Sequence, residues 1–267
     1  ALEVQSVTQL SGTLTMGVTP STNELTGKND NFFRTVSTIR EHASEMANYL
    51  RKSKHSERIA IIYDLKNKSY SESWSKDFSK VFNALGGRGV SSHSFLSSAQ
   101  IKFEQIVKTA MESKPDTVLL ITNSVDASLL AKQIKTLNPG TQIASSEWAG
   151  TERLIQLGGR YVERLVVTQL FDRESKNVDY QLFQQAYIAR YGHLPGFPGL
   201  IGFNAANVVL DGLAAQKEGE SLKQTLLRIK TFNGVPESIV FDAFGDAKGK
   251  SYITEIIDGQ FQVRASL

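Results

Sequence analysis

Arg58-Ile59-Ala60-Ile61-Ile62-Tyr63-Asp64 is an almost unbroken apolar run closed by an acid, the pattern of a strand covered on both faces of a parallel sheet. Its neighbours say what kind of sheet. Upstream, Arg40–Ser53 carries Ala43, Met46, Ala47 and Leu50 at helical spacing. Downstream, Ser71–Leu85 places Trp74, Phe78, Val81, Phe82 and Leu85 on one stripe and stops at Gly86-Gly87. Val90–Phe95 alternates as a strand does, Ile101–Ser113 is an amphipathic helix, and Pro115-Asp116 turns the chain into a second buried strand, Thr117–Thr122. A helix over Ser124–Leu137, a turn at Asn138-Pro139-Gly140, a strand over Thr141–Ser145, a short helix over Glu152–Leu157 and a strand over Arg164–Leu170 complete the series. Such a succession of strand–helix units requires right-handed crossovers and a mostly parallel sheet with helices on both faces. That is a doubly wound α/β lobe. Ligands of such sheets sit where loops leave the carboxyl ends of the strands, which points to Asp64–Tyr70, Thr122–Asp126 and Ser145–Gly150, all polar.

Outside this block the pattern changes. Helices are expected over Tyr180–Tyr191 and Gly202–Gln216, joined by the Gly/Pro-rich Gly192–Gly199, then over Leu222–Lys230, followed by a β-rich tail with turns at Asp242–Lys250 and Asp258-Gly259. Before residue 40, Ala1–Leu10 is weakly helical, Thr13–Gly17 is a short strand and Val18–Asp30 is a loop. Neither end completes a sheet alone. The expected division is therefore 1–37 with 174–232 as a first lobe, 38–173 as a second, and 233–267 as a β-rich hinge and tail.

The composition narrows the function. The chain has 267 residues, 40% hydrophobic and 21% charged, so disorder is excluded and a substantial core can form. The longest uninterrupted apolar runs, Ile59–Tyr63 and Val118–Ile121, are far short of the ~20 residues of a spanning helix. A formal net charge of +3 arises from lysines interleaved with acids, with no clustered basic face, so no nucleic acid is expected as partner. With no cysteine there are no disulfides, thiolate metal sites or cysteine nucleophiles. His42, His55, His93 and His193 show neither metal spacing nor a partnered carboxylate nearby, and each is expected at the surface. Leu85-Gly86-Gly87-Arg88-Gly89 follows a helix instead of opening one, so it reads as a cap and turn and not as a phosphate cradle. No catalytic residue, metal or cofactor is expected, and the absence of a leader before Ala1 is not read as cytoplasmic.

In this order the residues resemble a known family, the type I periplasmic binding proteins of the branched-chain amino acid (leucine/isoleucine/valine) transporter class. Val18-Thr19-Pro20-Ser21-Thr22-Asn23-Glu24-Leu25-Thr26, followed by Asp30-Asn31-Phe32-Phe33-Arg34-Thr35, is similar to the family's ligand loop and the strand before the first crossover. Ile59–Asp64 with Tyr70 resembles the strand opening the second lobe. Phe183, Tyr187, Tyr191-Gly192, Pro195 and Phe203-Asn204-Ala205-Ala206 are similar to the returning helices, and Phe241-Asp242-Ala243-Phe244-Gly245-Asp246 to the late β-turn. The ordered set spans nearly the whole chain.

The resemblance implies two doubly wound parallel-sheet lobes joined by a hinge and closing on a small ligand. It places Thr19, Ser21 and Thr22 on the ligand carboxylate, and neutral donors in such a loop can bind a carboxylate without a counter-charge. The same residues also read as an ordinary Ser/Thr-rich turn with a helix cap. Tyr70 falls where the family packs an aromatic on the ligand, although the loop before it is longer here; read alone, it is a surface tyrosine in a lysine-rich loop. Glu147 falls where family members pair a carboxylate with the ligand ammonium, and it also reads as an acid capping the helix at Glu152. Trp148 is then a cleft wall or a core residue. Asn123 departs from the aromatic often found at its place and suits a ligand with an extra polar group. Phe197 either reaches the cleft mouth or packs locally.

The expectation is thus an exported solute-binding protein, periplasmic or extracellular, that captures an amino acid or related carboxylate and presents it to an ABC permease. The alternative is a ligand-sensing domain of a receptor, histidine kinase or regulator with the same fold. Family members carry further strand–helix units before the point matching Ala1. The first lobe is therefore expected to lack its N-terminal strands, which a missing segment or a second chain would supply. Without them, Thr13–Gly17 and the two returning helices would show an unpaired edge and apolar faces.

Overall fold

The chain passes three times between two units, one comprising the residues up to Thr38 with Leu170–Lys250, the other Ile39–Gln169 with Ser251–Leu267. The computed structural model describes residues 2–98 and 101–266. The first unit begins with α1 (Leu2–Ser11) and β1 (Thr15–Gly17), which pairs in parallel with β2 (Phe32–Arg34). Between them the loop carries one turn of 3₁₀ helix, Asn23–Leu25, capped by the Thr22 hydroxyl.

The second unit follows the sequence pattern closely. Its elements are α2 (Ile39–Lys52), β3 (Arg58–Asp64), α3 (Lys68–Ala84), β4 (Gly89–Phe95), α4 (Phe103–Met111), β5 (Thr117–Ile121), α5 (Ser124–Leu137), β6 (Gln142–Ser145), α6 (Glu152–Gly158) and β7 (Val166–Gln169). The pleat of β3 explains its unbroken apolarity. Ala60 and Ile62 point into a core built with Phe103, Val107, Leu130 and Ile134 from α4 and α5. Ile59 and Ile61 point the other way, into a core built with Met46 and Leu50 from α2 and with Trp74, Phe78 and Phe82 from α3. Trp74, Phe78 and Phe82, spaced four apart, stack as a ladder with centroids 5.9 and 5.5 Å apart. Each fully buried side chain of this size contributes on the order of 1.5–3 kcal/mol.

The chain returns to the first unit as α7 (Val178–Tyr191), α8 (Phe197–Ala214), α9 (Leu222–Ile229) and the short strands β8 (Thr231–Phe232), β9 (Ile239–Phe241) and β10 (Ala247–Lys248), an antiparallel sheet in the order β10-β9-β8. α9 opens with a capping box between Ser221 and Gln224. α8 begins five residues before its expected start at Gly202, because Pro198 in its first turn needs no hydrogen-bond partner for its nitrogen. At 18 residues and a mean hydropathy of 1.2, α8 is by length and composition apolar enough to cross a membrane; it contains no long uninterrupted apolar run because Asn204, Asn207 and Asp211 break it up. Leu200, Ile201, Asn204, Ala205, Val208 and Gly212 form its buried face, and Val208 packs with Phe33, Leu226 and Phe241.

α7 buries Tyr180 but leaves Val178, Leu182, Ile188 and Tyr191 exposed, and α8 leaves Leu210 and Leu213 exposed. Among the described residues, β1 and β2 form a sheet of two strands.

The tail does not stay together. Residues 233–250 belong to the first unit, whereas β11 (Tyr252–Ile257) and β12 (Gln260–Ser266) extend the sheet of the second. Among the described residues that sheet has seven strands in the order β12-β11-β7-β6-β5-β3-β4, parallel from β7 to β4 and antiparallel at β11 and β12. The alternation of Tyr252–Ile257 suits pairing on β7 as well as it suits a hairpin, and the hydrophobic Ile253 and Ile256 join the two cores on opposite faces.

Candidate functional site

In the second unit, β6 ends at Ser145 and the chain turns through Ser146, Glu147 and Trp148 before α6. Glu147 is buried, only 5% exposed. Its Oε2 accepts a hydrogen bond of 3.1 Å from the Trp74 indole Nε1, and its Oε1 stands 3.4 Å from His42 Nδ1. His42 lies on the inward face of α2, one turn before Met46, and is wholly buried. This corrects the expectation of a surface histidine without a carboxylate partner. That expectation missed the pair because the inward stripe of α2 includes a polar residue and its partner lies on a distant loop.

Burial opposes the imidazolium form of His42, but the Glu147 carboxylate, together with Glu45 and Glu41, outweighs it and raises the His42 pKa above the ordinary 6.5. Burial likewise opposes the charged form of Glu147, yet His42, the backbone and Tyr70 hold its carboxyl below the ordinary 4.5. The two groups form a buried ion pair.

Tyr70 lies in the first turn of α3 and not in the loop before it, and it is buried. Burial, with the nearby Glu147 carboxylate, pushes its phenol well above 10. Its ring meets half-buried Trp148 edge-on at 5.6 Å between centroids. Tyr70, Trp74, Glu147 and Trp148 thus come together at the carboxyl end of the sheet, with His42 behind the carboxylate.

Asn123 follows β5 and caps α5: its side-chain oxygen accepts from the Val125 and Asp126 amides at 2.9 and 3.1 Å, and its amide donates to Asp126 at 2.9 Å. Asp126 and Asp64 both reach Ser97, whose hydroxyl stands 2.7 Å from Asp64 Oδ2 and hydrogen-bonds Asp126. The amide of Asn123 is therefore committed within its own loop. Asn123→Ala should cost about 1 kcal/mol in a urea unfolding titration, whereas Asn123→Ser, which keeps an accepting oxygen without adding a charge, should cost less.

In the first unit, the loop carrying Thr19, Ser21 and Thr22 is organised from below by Arg34, a wholly buried arginine in β2. Its Nε lies 2.7 Å from Asp246 Oδ1, and its terminal nitrogens donate to the Thr22 carbonyl at 2.9 Å and to Thr26 Oγ1 at 2.6 Å. Asp246 Oδ2 accepts from the Gly27 amide at 2.8 Å. The turn that presents Asp246 needs a glycine: Gly245 has φ +87°, and a Cβ there would stand 2.7 Å from the Phe33 ring. Ser21 and Thr22 are buried and Thr19 is exposed.

Phe197, expected in a loop, opens α8 and packs partly buried against Phe171, Tyr180 and Leu200. The Arg34–Asp246 pair that holds this loop is absent from the sequence-based expectations, although an arginine directly after Phe32-Phe33 is a usable signal. Among the described residues, no three His, Asp or Glu side chains are placed to hold a metal ion.

The profile of the family described as periplasmic binding protein matches residues 1–260. The chain belongs to the periplasmic binding protein family. Among solved structures of similar fold, the leucine-binding protein LivK of Thermotoga maritima superposes with a TM-score of 0.89 at 23% identity, covering 100% of this chain and 76% of that one. The isoleucine complex of the branched-chain amino acid substrate-binding protein LivJ of Streptococcus pneumoniae gives 0.84 at 16% identity, over 98% and 74% of the two chains. A benzoate complex of an ABC transporter solute-binding protein of R. palustris gives 0.85 at 16% identity, over 99% and 74%. At these identities the likeness is one of fold. No curated protein sequence matches the chain.

Proposed function

We propose that this periplasmic binding protein is exported, captures a small carboxylate ligand, an amino acid, by closing its two units around it, and delivers it to an ABC permease. The observation that carries the reading is Glu147, a carboxylate held anionic at the end of β6 with aromatic rings beside it. In this reading Glu147 takes the ligand ammonium, Tyr70 and Trp148 flank the ligand, and Thr19, Ser21 and Thr22 take its carboxylate. Asn123 and Phe197 stand at the margin. A ligand that touches both units binds the closed form more tightly than the open one, and that difference drives closure. The leucine-binding and isoleucine-bound neighbours support an amino acid.

A second reading has an observation of its own. Both carboxylate oxygens of Glu147 already face a partner, Trp74 and His42, and the R. palustris neighbour holds benzoate, an acid without an amine. A thermal-shift screen of amino acids against amine-free acids separates the two. Amino acids should raise the melting temperature, and Glu147→Gln should weaken their binding by about 10- to 150-fold, the loss of one charge-assisted contact of ~1.5–3 kcal/mol. Stabilisation by amine-free acids alone would replace the amino-acid reading with the second. Deleting the gene should abolish uptake of the stabilising compound; unchanged uptake with a lost transcriptional response would favour a sensing role.

A further inference from the structure

We propose that His42 sets the charge Glu147 presents to a ligand, making it a positioning residue that couples ligand capture to pH and discriminates between ligands with and without an ammonium group. The inference rests on the reading that Glu147 faces the ligand. Its basis is geometric: a wholly buried imidazole stands behind a buried carboxylate at 3.4 Å. On the other oxygen the carboxylate has a neutral donor, Trp74 Nε1. Among the described residues the carboxylate therefore has one charged partner, His42, and that partner titrates.

From α2 itself, Glu41 and Glu45 act on His42; from α3, Tyr70 and Trp74 act on Glu147; at the start of the last segment, Ser251 meets Glu45. Tyr70 stays neutral through the range in which His42 titrates, because its phenol is pushed well above 10. Glu45 is half-buried with its carboxyl raised above 4.5, chiefly by burial, and the Ser251 hydroxyl and His42 oppose that shift.

With His42 protonated, the His42–Glu147 pair is neutral overall. With His42 neutral, Glu147 is an uncompensated buried anion. A ligand ammonium brought to Glu147 competes with the imidazolium for the same carboxylate, so its arrival favours neutral His42 and expels a proton. Proton release on binding makes affinity rise with pH, across the interval between the His42 pKa in the complex and its higher value in the empty protein. That upper value lies above 6.5 because Glu147 raises it. A ligand without an ammonium gains nothing from an uncompensated Glu147, so the trend vanishes or reverses.

The chain supplies its own reporter. Its two tryptophans, Trp74 and Trp148, both border Glu147, so tryptophan emission, excited above the tyrosine absorption band, reports on this site. In the ligand-free protein, emission should show a titration with a midpoint above 6.5 that disappears in His42→Gln. In Glu147→Gln the midpoint should fall, because burial of His42 is then opposed by weaker charges.

Isothermal titration with leucine should show binding tightening up to about tenfold between pH 6 and pH 8, with buffer-dependent heats reporting proton release. Benzoate should show no tightening, and His42→Gln should flatten the leucine profile. Leucine affinity that is flat with pH while Glu147→Gln still weakens it overturns the role of His42 and leaves the amino-acid reading standing. No binding of leucine, with benzoate binding that weakens as pH rises, ends the amino-acid reading and supports the role of His42. Benzoate binding alone and flat with pH, or no binding of either compound, overturns both.

Discussion

Asp246→Ala should destabilise the first unit by about 3–5 kcal/mol, the cost of leaving a buried charge without its partner. Arg34 has no solvent access, and Asp246 is the carboxylate at its Nε. The alanine would strand the guanidinium and also remove the acceptor of the Gly27 amide. Thr22, Thr26 and Gly27 all hang on these two side chains, so the loop from Val18 to Gly27 should loosen together with the β2 end.

Urea unfolding followed by circular dichroism gives the magnitude. Asp246→Asn, which keeps the shape and an accepting oxygen but not the charge, should lose less. Arg34→Met combined with Asp246→Leu should be milder than Asp246→Ala alone, because an apolar pair of similar volume leaves no buried charge. A loss below about 1 kcal/mol for Asp246→Ala would mean that the loop holds its shape without the ion pair.

Trp74→Ala should cost about 3–5 kcal/mol in the second unit. The indole is wholly buried, stacks on Phe78 and lies in the core between α2, α3 and the sheet. The alanine also leaves Glu147 Oε2 without its donor. Trp74→Phe weights the two effects differently: it keeps most of the apolar volume and removes the N–H. Its expected cost is about 1–3 kcal/mol, the penalty for an under-bonded buried acceptor. Chemical denaturation of the two variants side by side measures the difference. A negligible loss in Trp74→Phe would mean that the Trp74–Glu147 hydrogen bond contributes nothing and that packing alone accounts for the effect.

The second unit was legible in the sequence because its information is local. The run Arg58–Asp64, the stripe Trp74-Phe78-Phe82 and the turn at Asn138-Pro139-Gly140 each declare an element within a few residues, and alternation of strand and helix leaves one handedness of crossover. The errors fall where the chain's local signals are shared between structures. Gly196-Phe197-Pro198-Gly199 reads as a loop, yet a proline in the first turn of a helix is unobjectionable, so α8 begins there. Tyr70 reads as loop because Lys66-Asn67-Lys68 is polar, yet a polar first turn is what a helix start tolerates. Residues 233–267 read as one β-rich hinge and tail because short strands do not say which sheet they join.

The candidate site was legible in part, through the loops at the strand ends. Glu147, Trp148 and Tyr70 stand near one another because β3 and β6 end on the same side of a parallel sheet, a placement that follows from strand order. What stands behind them did not follow. Trp74 and Glu147 are 73 residues apart and Arg34 and Asp246 are 212 apart, and no periodicity links residues at such separations.

By itself, then, the sequence determined the elements, the fold class and the strand-end loops, since hydrophobic period and turn chemistry act over a few neighbouring residues. Only the tertiary structure decided that His42 and Trp74 meet Glu147 and that Arg34 meets Asp246. A buried charge is tolerated only where another element delivers its partner, and which element does so is set by how helices are laid over the sheet, not by any stretch of chain read alone.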